Sequence, residues 1–229
     1  MRNWGYNGYG QLGDGTTTQR STPVQVPSLT GVRAVAAGDS HTLALRVDGT
    51  VWAWGYNGYG QLGDGSTADH RTPAQVAGLT GVVALAAGEQ HSVALRVDGT
   101  VWTWGYNVYG QLGDGTTTQR STPVQVPGLT GVVAVAANRY HTLAVLSDGT
   151  VWAWGYNAYG QLGDGSTTSR SLPVRVPSIA GVAAVAAGLN HSLALSGAGA
   201  AWSWGYNGNG QLGDGSTTTR STPARVLGF

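Results

Sequence analysis

A block of twelve residues, Trp-Gly-Tyr-Asn-Gly-Tyr-Gly-Gln-Leu-Gly-Asp-Gly, runs from Trp54 to Gly65. It starts again with few changes at Trp4, Trp104, Trp154 and Trp204, a constant spacing of fifty residues without insertion or deletion. A chain that repeats itself at this period is built from stacked copies of one supersecondary unit, and fifty residues lies in the range of propeller blades. Any reading of fold or function has to fit that period.

The unit from Gly81 to Leu129 shows what is being copied. Val82-Val83-Ala84-Leu85-Ala86-Ala87 is a short apolar run closed by Gly88 and is expected to be a buried inner strand. His91-Ser92-Val93-Ala94-Leu95 follows as a second strand. Asp98-Gly99 supplies the positive backbone angles of a hairpin turn. Thr100-Val101-Trp102-Thr103-Trp104 alternates, with Trp102 and Trp104 on one side and Val101 and Thr103 on the other. After a Gly-rich loop, Pro123-Val124-Gln125-Val126 reads as a short fourth strand whose leading Pro belongs at a strand start or a sheet edge. No helical periodicity appears, so the sequence predicts an all-β propeller-type array of four-stranded antiparallel blades.

The blade count is uneven. Residues 31–78, 81–128, 131–178 and 181–228 form four whole blades, and residues 1–30 hold only the third and fourth strands of a fifth. The whole chain, 1–229, is read as a single repeat domain, and the ring it forms is expected to be incomplete. In the last blade Ser196-Gly197-Ala198-Gly199-Ala200 replaces the usual turn, and a weak hairpin is expected there.

The repeated motif has structural work available to it. Each Trp can bury about 150–250 Å², about 4–6 kcal/mol as an upper bound. Trp54, Trp104, Trp154 and Trp204 are therefore assigned to the core between blades. Asn57, Gln61 and Asp64, with Asp114 and Asp164 in the next copies, are suited to bonding loop amides. His41, His91, His141 and His191 recur at the start of the second strand and are read as side chains that pin the preceding loop. One Arg per Gly-rich loop, at Arg20, Arg71, Arg120, Arg170 and Arg220, balances the loop Asp, while His70 reads as an unrepeated surface residue.

Several chemistries are disfavoured by the same residues. Gly58 to Gly63 matches the dinucleotide fingerprint but runs into loop rather than opening a helix, and its first Gly is Val108 and Ala158 in two copies. One carboxylate per loop falls short of a calcium site. No nucleophile with a carboxylate partner accompanies the His residues. Net charge is +1, all basic residues are Arg, and no one-sided basic stripe stands out. The expectation is no enzyme, no cofactor, no metal site, no nucleic-acid partner and no membrane partner. There is no Cys, no membrane-length apolar run and no signal peptide in this chain. These features leave localisation undetermined, and a secreted or cell-surface parent protein is compatible with them.

The pattern Gly-x-x-His-(Thr/Ser)-x-Ala-Leu…Asp-Gly-Thr-Val-Trp-x-Trp-Gly-x-Asn-x-x-Gly-Gln-Leu-Gly-x-Gly, seen from Gly88 to Gly115, resembles the repeat of the regulator of chromosome condensation family. The resemblance covers the whole chain. It implies a β-propeller of four-stranded blades, usually seven, where this chain has four and a half. Members of that family include an exchange factor for a small GTPase that binds chromatin, and bacterial secreted proteins that bind their target through loops on one face. The regular, Lys-free, Gly/Thr/Ala-rich copies here resemble the bacterial type.

Differences between copies point to a binding face. The two residues before each His vary most: Asp39-Ser40, Glu89-Gln90, Arg139-Tyr140 and Leu189-Asn190. All four pairs join the inner to the second strand and are expected to gather at one mouth of the propeller. Arg139 and Tyr140 are residue types favoured at interaction hot spots. The sequence thus predicts a non-enzymatic scaffold that binds a protein or peptide through these loops. The alternatives are an exchange factor or regulator of a small GTPase, and a fragment of a longer repeat protein with no independent function. Open blade edges lead to a further expectation of self-association.

Overall fold

The computed structural model describes residues 1–228 and contains eighteen strands and, among those residues, no helix. They form five antiparallel sheets. The N-terminal sheet has two strands, β1 (Arg2–Gly5) and β2 (Arg20–Gln25). The first four-stranded sheet consists of β3 (Val32–Ala37), β4 (His41–Arg46), β5 (Val51–Gly55) and β6 (His70–Gln75). The second consists of β7 (Val82–Ala87), β8 (His91–Arg96), β9 (Val101–Gly105) and β10 (Arg120–Gln125). The third consists of β11 (Val132–Asn138), β12 (His141–Leu146), β13 (Val151–Gly155) and β14 (Arg170–Arg175). The fourth consists of β15 (Val182–Ala187), β16 (His191–Ser196), β17 (Ala201–Gly205) and β18 (Arg220–Arg225). Strand order within each blade follows the sequence, so every blade is a simple meander.

The core lies between blades. Leu43, Leu45, Val51 and Ala53 of the first blade pack with Leu62, Val76 and the second blade's Trp104. The same pattern recurs one and two repeats later around Trp154 and Trp204. Trp54, Trp104, Trp154 and Trp204 are all fully buried, whereas their counterpart Trp4, which no blade covers among the described residues, is 63% exposed. At the other end Leu195, whose equivalents Leu45, Leu95 and Val145 are buried, is 43% exposed. The two flanks do not meet, and the ring is open.

Four local expectations need correction. The fourth strands begin three residues before the Pro, at Arg20, His70, Arg120, Arg170 and Arg220. The Pro sits where the register slips, for instance between Arg120↔Gly105 and Val124↔Thr103, so its missing N–H leaves no ladder position unpaired. The inner strands are only partly buried, since they line an open arc: Val35 on β3 is 57% exposed. The last hairpin is as regular as the others. Its backbone bonds, Ser196 N–H to Ala200 at 2.9 Å and Gly199 N–H to Ser196 at 3.0 Å, match those at Arg96–Thr100. What it lacks is the Asp98–Thr100 side-chain bond, and the Ser196 hydroxyl accepts from the Ala200 N–H instead.

His70 is the fourth correction. It occupies the position held by Arg20, Arg120, Arg170 and Arg220, and its Nε2 lies 2.7 Å from Asp64. Arg71, taken from the sequence as the repeat's cation, is one residue out of phase with the Arg–Asp pairs of the other loops.

Candidate functional site: the mouth of the array

The polar residues of the motif are committed to holding their own loop. Asn107 is fully buried. Its Oδ1 accepts from the Leu112 N–H at 2.9 Å, and its Nδ2 donates to Asp114 and to the carbonyls of Thr116 and Thr118. Gln111 Oε1 accepts from the Tyr109 N–H at 3.0 Å. Asp114 accepts from Thr116 and pairs with Arg120 at 2.7 Å. In the equivalent Asp14, burial raises the carboxyl pKa, but the Thr16 bonds and the Arg20 guanidinium outweigh burial and bring it down to about 2. Asp114 and Asp164 are held below the usual carboxylate range by the same balance, and in Asp64 burial is outweighed by hydrogen bonds from Ser66, Asn57 and His70.

The recurring histidines bridge blades. His41, His91 and His141 are buried and place Nε2 3.0 Å from the hydroxyl of Ser92, Thr142 and Ser192 in the following blade. The sequence reading had the bond going back to the preceding loop. Packing instead brings the next blade's second strand alongside. Burial pushes His41 down to about 4, and His91 and His141 to about 3, where neighbouring imidazoles add to the effect. His191 has no following blade, is less buried, and is lowered by the burial it retains.

The four variable pairs come together. The Asp39 N–H donates to the Glu89 carbonyl and the Glu89 N–H to the Arg139 carbonyl, each at 3.3 Å. Asp39, Glu89, Asn138 and Leu189 rim a shared cavity of about 340 Å³. Arg139 and Tyr140 form a two-residue turn in which Arg139 takes a φ of 22°. Asn138, present where the other copies have Gly, extends β11 by one residue and accepts from the Arg139 N–H at 2.7 Å. Glu89, Arg139 and Tyr140 form one cluster: the Tyr140 hydroxyl donates to Glu89 at 3.1 Å, Arg139 lies 3.4 Å from Glu89, and its guanidinium sits 5.2 Å from the Tyr140 ring centroid. Ser40 donates to Asp39 at 3.1 Å, Gln90 is half-buried, and Asn190 keeps a buried Oδ1 with no partner.

A second feature of this mouth was not read from the sequence. Nine tyrosines, two per motif and one in the last, follow one another in ring contact: Tyr6, Tyr9, Tyr56, Tyr59, Tyr106, Tyr109, Tyr156, Tyr159 and Tyr206. Tyr140 joins them by touching Tyr106, Tyr109 and Tyr156. All ten tyrosines of the chain thus make a continuous ribbon. Most rings pack edge-on or tilted, as aromatic quadrupoles favour. The ribbon and the variable pairs share one face because the Tyr56, Tyr106, Tyr156 and Tyr206 N–H groups donate to the carbonyls of Ser40, Gln90, Tyr140 and Asn190. The signal in the sequence was the Tyr-Asn-x-Tyr of the first four copies and the single Tyr206 of the last. Contact between Tyr59 and Tyr106 appears only once neighbouring blades are docked.

Among the described residues no group of three or more His, Cys, Asp or Glu side chains converges to hold a metal. What the mouth offers is aromatic surface, phenolic hydroxyls and a few carboxylates.

Comparison with known proteins agrees with this architecture. The family model described as the RCC1-like domain matches residues 1–228. Human WBSCR16 superposes with a TM-score of 0.86 at 28% identity, over 97% of this chain and 61% of that one. Yeast RCC1 (Prp20), solved bound to Kap60, gives a TM-score of 0.83 at 28% identity, over 97% of this chain and 56% of that one. Over 50 residues the chain is 40% identical to the ultraviolet-B receptor UVR8 of Arabidopsis thaliana, covering 21% of this chain and 11% of UVR8. The chain therefore spans about 56–61% of the two solved chains, less than two thirds of either, and its match to UVR8 spans 11% of that protein.

Proposed function

Because this chain belongs to the RCC1-like domain family, we propose that it is a non-enzymatic scaffold that binds a protein or peptide at the mouth described above. The observation that carries this reading is the sharing of one face by the four variable pairs and the tyrosine ribbon. Conserved scaffold with variable loop tips is a common arrangement for recognition surfaces. Tyr supplies large contact area at low entropic cost, Arg is favoured at hot spots, and Arg139 and Tyr140 are already held in place by Glu89.

Two relatives support a protein as the partner. Prp20 was solved bound to Kap60, and the Saccharomyces cerevisiae Prp20p structure, with a TM-score of 0.78, is described with its binding to Gsp1p and histones. A GTPase is therefore one protein to try.

The test is an affinity capture with the purified chain and with the triple variant Glu89→Ala, Arg139→Ala, Tyr140→Ala. Loss of the captured proteins supports the mouth as the binding face. Retention of every one of them by the triple variant overturns it.

A further inference from the structure

We infer that the tyrosine ribbon is a seat for a proline-rich segment in the polyproline II conformation with an Arg or Lys at one end. This rests on the mouth being the binding face.

Three observations converge on that ligand. The first is spacing. A polyproline II helix repeats every three residues and advances about 9 Å per turn. From Tyr56 to Tyr106 the ribbon advances by ring-to-ring steps of 5.9 and 4.8 Å, and from Tyr106 to Tyr156 by steps of 6.4 and 4.8 Å. Neighbouring rings are closer together than one helical turn is long, so every turn of a helix laid along the ribbon meets a ring.

The second is hydrogen bonding. A polyproline II segment has no internal hydrogen bonds and offers a carbonyl at every residue, while proline offers no N–H. Its complement is a surface of apolar rings with donors at their tips. Half-buried and exposed tyrosines supply both, since a phenol is protonated at neutral pH and its hydroxyl can donate. A flexible peptide with free N–H groups would lose more entropy on ordering and bring donors to a surface already rich in them.

The third is charge. Tyr56 lies between two carboxylates that vary from copy to copy. Asp39 adjoins Ser40, whose carbonyl accepts from the Tyr56 N–H, and Asp69 accepts from the Asn57 N–H at 2.8 Å. The positions equivalent to Asp69 are Gln19, Gln119, Ser169 and Thr219. Both Asp39 and Asp69 are exposed, and neither belongs to an ion pair among the described residues. Further along, Glu89 is neutralised by Arg139. The unbalanced negative charge therefore sits at the Tyr56 end, where a cation can also lie over the ring. Net negative carboxylates and the absence of a basic groove argue against a single-stranded nucleic acid on the same rings.

The test is fluorescence anisotropy with four labelled probes: a proline decamer with an N-terminal Arg, the plain proline decamer, a Gly/Ser decamer with an N-terminal Arg, and a proline decamer with an N-terminal Glu. The Arg-proline probe is expected to bind best and the Gly/Ser probe not to bind. Tyr59→Ala and Tyr106→Ala are each expected to weaken the Arg-proline probe about tenfold, the size of one lost aromatic contact. Tyr106→Phe keeps the ring, removes the hydroxyl and is expected to fall in between. Asp39→Asn with Asp69→Asn is expected to bring the Arg probe to the level of the plain proline decamer and to abolish its weakening at about 0.3 M salt. Equal binding of the Gly/Ser and proline probes, or unchanged affinity in Tyr→Ala variants that are still folded at the assay temperature, overturns the proposal. If no probe binds while the triple mouth variant still loses captured proteins, the ligand class fails and the binding face stands.

Discussion

The indole N–H of Trp104 donates to the carbonyl oxygen of Gln61, in the preceding repeat, at 2.8 Å. The same bond recurs from Trp54 to Gln11, Trp154 to Gln111 and Trp204 to Gln161. Ser92 donates to that Gln61 oxygen as well, so one carbonyl receives two donors from the next blade. The indole can come this close because Gly63 has no side chain: a Cβ there would lie 2.8 Å from Trp104 Nε1, at a φ of 72° that already disfavours one. Gly63→Ala is expected to destabilise the array by about 2–4 kcal/mol, combining left-handed backbone strain with displacement of a buried Trp. Urea unfolding followed by Trp fluorescence measures the shift in midpoint, and an unchanged midpoint would contradict the packing described.

Acidification should weaken the fold in a defined window. His41, His91 and His141 are neutral when folded, with pKa values of about 4, 3 and 3, against about 6.5 when unfolded. The unfolded chain binds more protons between these values, so stability is full above about pH 6.5 and falls as pH drops towards 4. For His41 the loss is about 3 kcal/mol. The carboxylates act lower down: Asp14, brought to about 2, gives up its contribution only below about pH 4. Melting temperatures across this range should decline from pH 6.5 downward. His91→Gln should lower stability at pH 7.5 and flatten the decline.

The loop closed by His70 and Asp64 differs from its four counterparts, where Arg pairs with the Asp. His70→Arg should restore that guanidinium–carboxylate pair and raise stability at neutral pH by about 0.5–1 kcal/mol, since the site is partly exposed. Thermal melting of the variant checks it, and a lower melting temperature would mean that Arg71 next door prevents the pairing.

Asn107 carries the opposite risk. Asn107→Ala removes an acceptor and a donor from a buried loop and strands the Leu112 N–H and the Thr118 carbonyl. A loss of about 1–3 kcal/mol is expected. Hydrogen exchange should show it locally, as faster exchange of the Leu112 amide.

The ribbon should behave differently from the core. Tyr106 is half-buried and Trp104 fully buried. Tyr106→Ala is expected to cost about 1 kcal/mol from its aromatic pairs, well below the about 3–5 kcal/mol of Trp104→Ala. Comparing the two melting curves separates residues that hold the array from residues available to a ligand.

Much of this architecture could be read in advance because a repeat presents the same evidence several times. Strand-period alternation at Val101–Trp104, the Asp98-Gly99 turn and the small apolar inner strand locate the blade, and the family resemblance agrees with them. What stayed hidden depends on where the next copy sits. The Tyr59–Tyr106 contact, the His91–Thr142 bond and the Trp104–Gln61 bond each join neighbouring blades. No local pattern encodes the offset between blades, so the partners of these side chains were missed. His70 escaped for a different reason: it stands beside an Arg and is unrepeated, and only its side-chain contact with Asp64, at the strand position that pairs with Gly55, shows it filling the place of the Arg.

The open ring has a consequence for how the chain acquires its structure. Hydrogen bonds between blades join residues 31 to 56 positions apart, and the first and last sheets share none among the described residues. The molecule is thus a row of near-identical units coupled only to their neighbours, like a short magnetic chain. Folding can start at any blade and spread outward, with modest loop-closure cost at each step. The ends should fray first, and the interior blades, clamped from both sides, should be the last to melt.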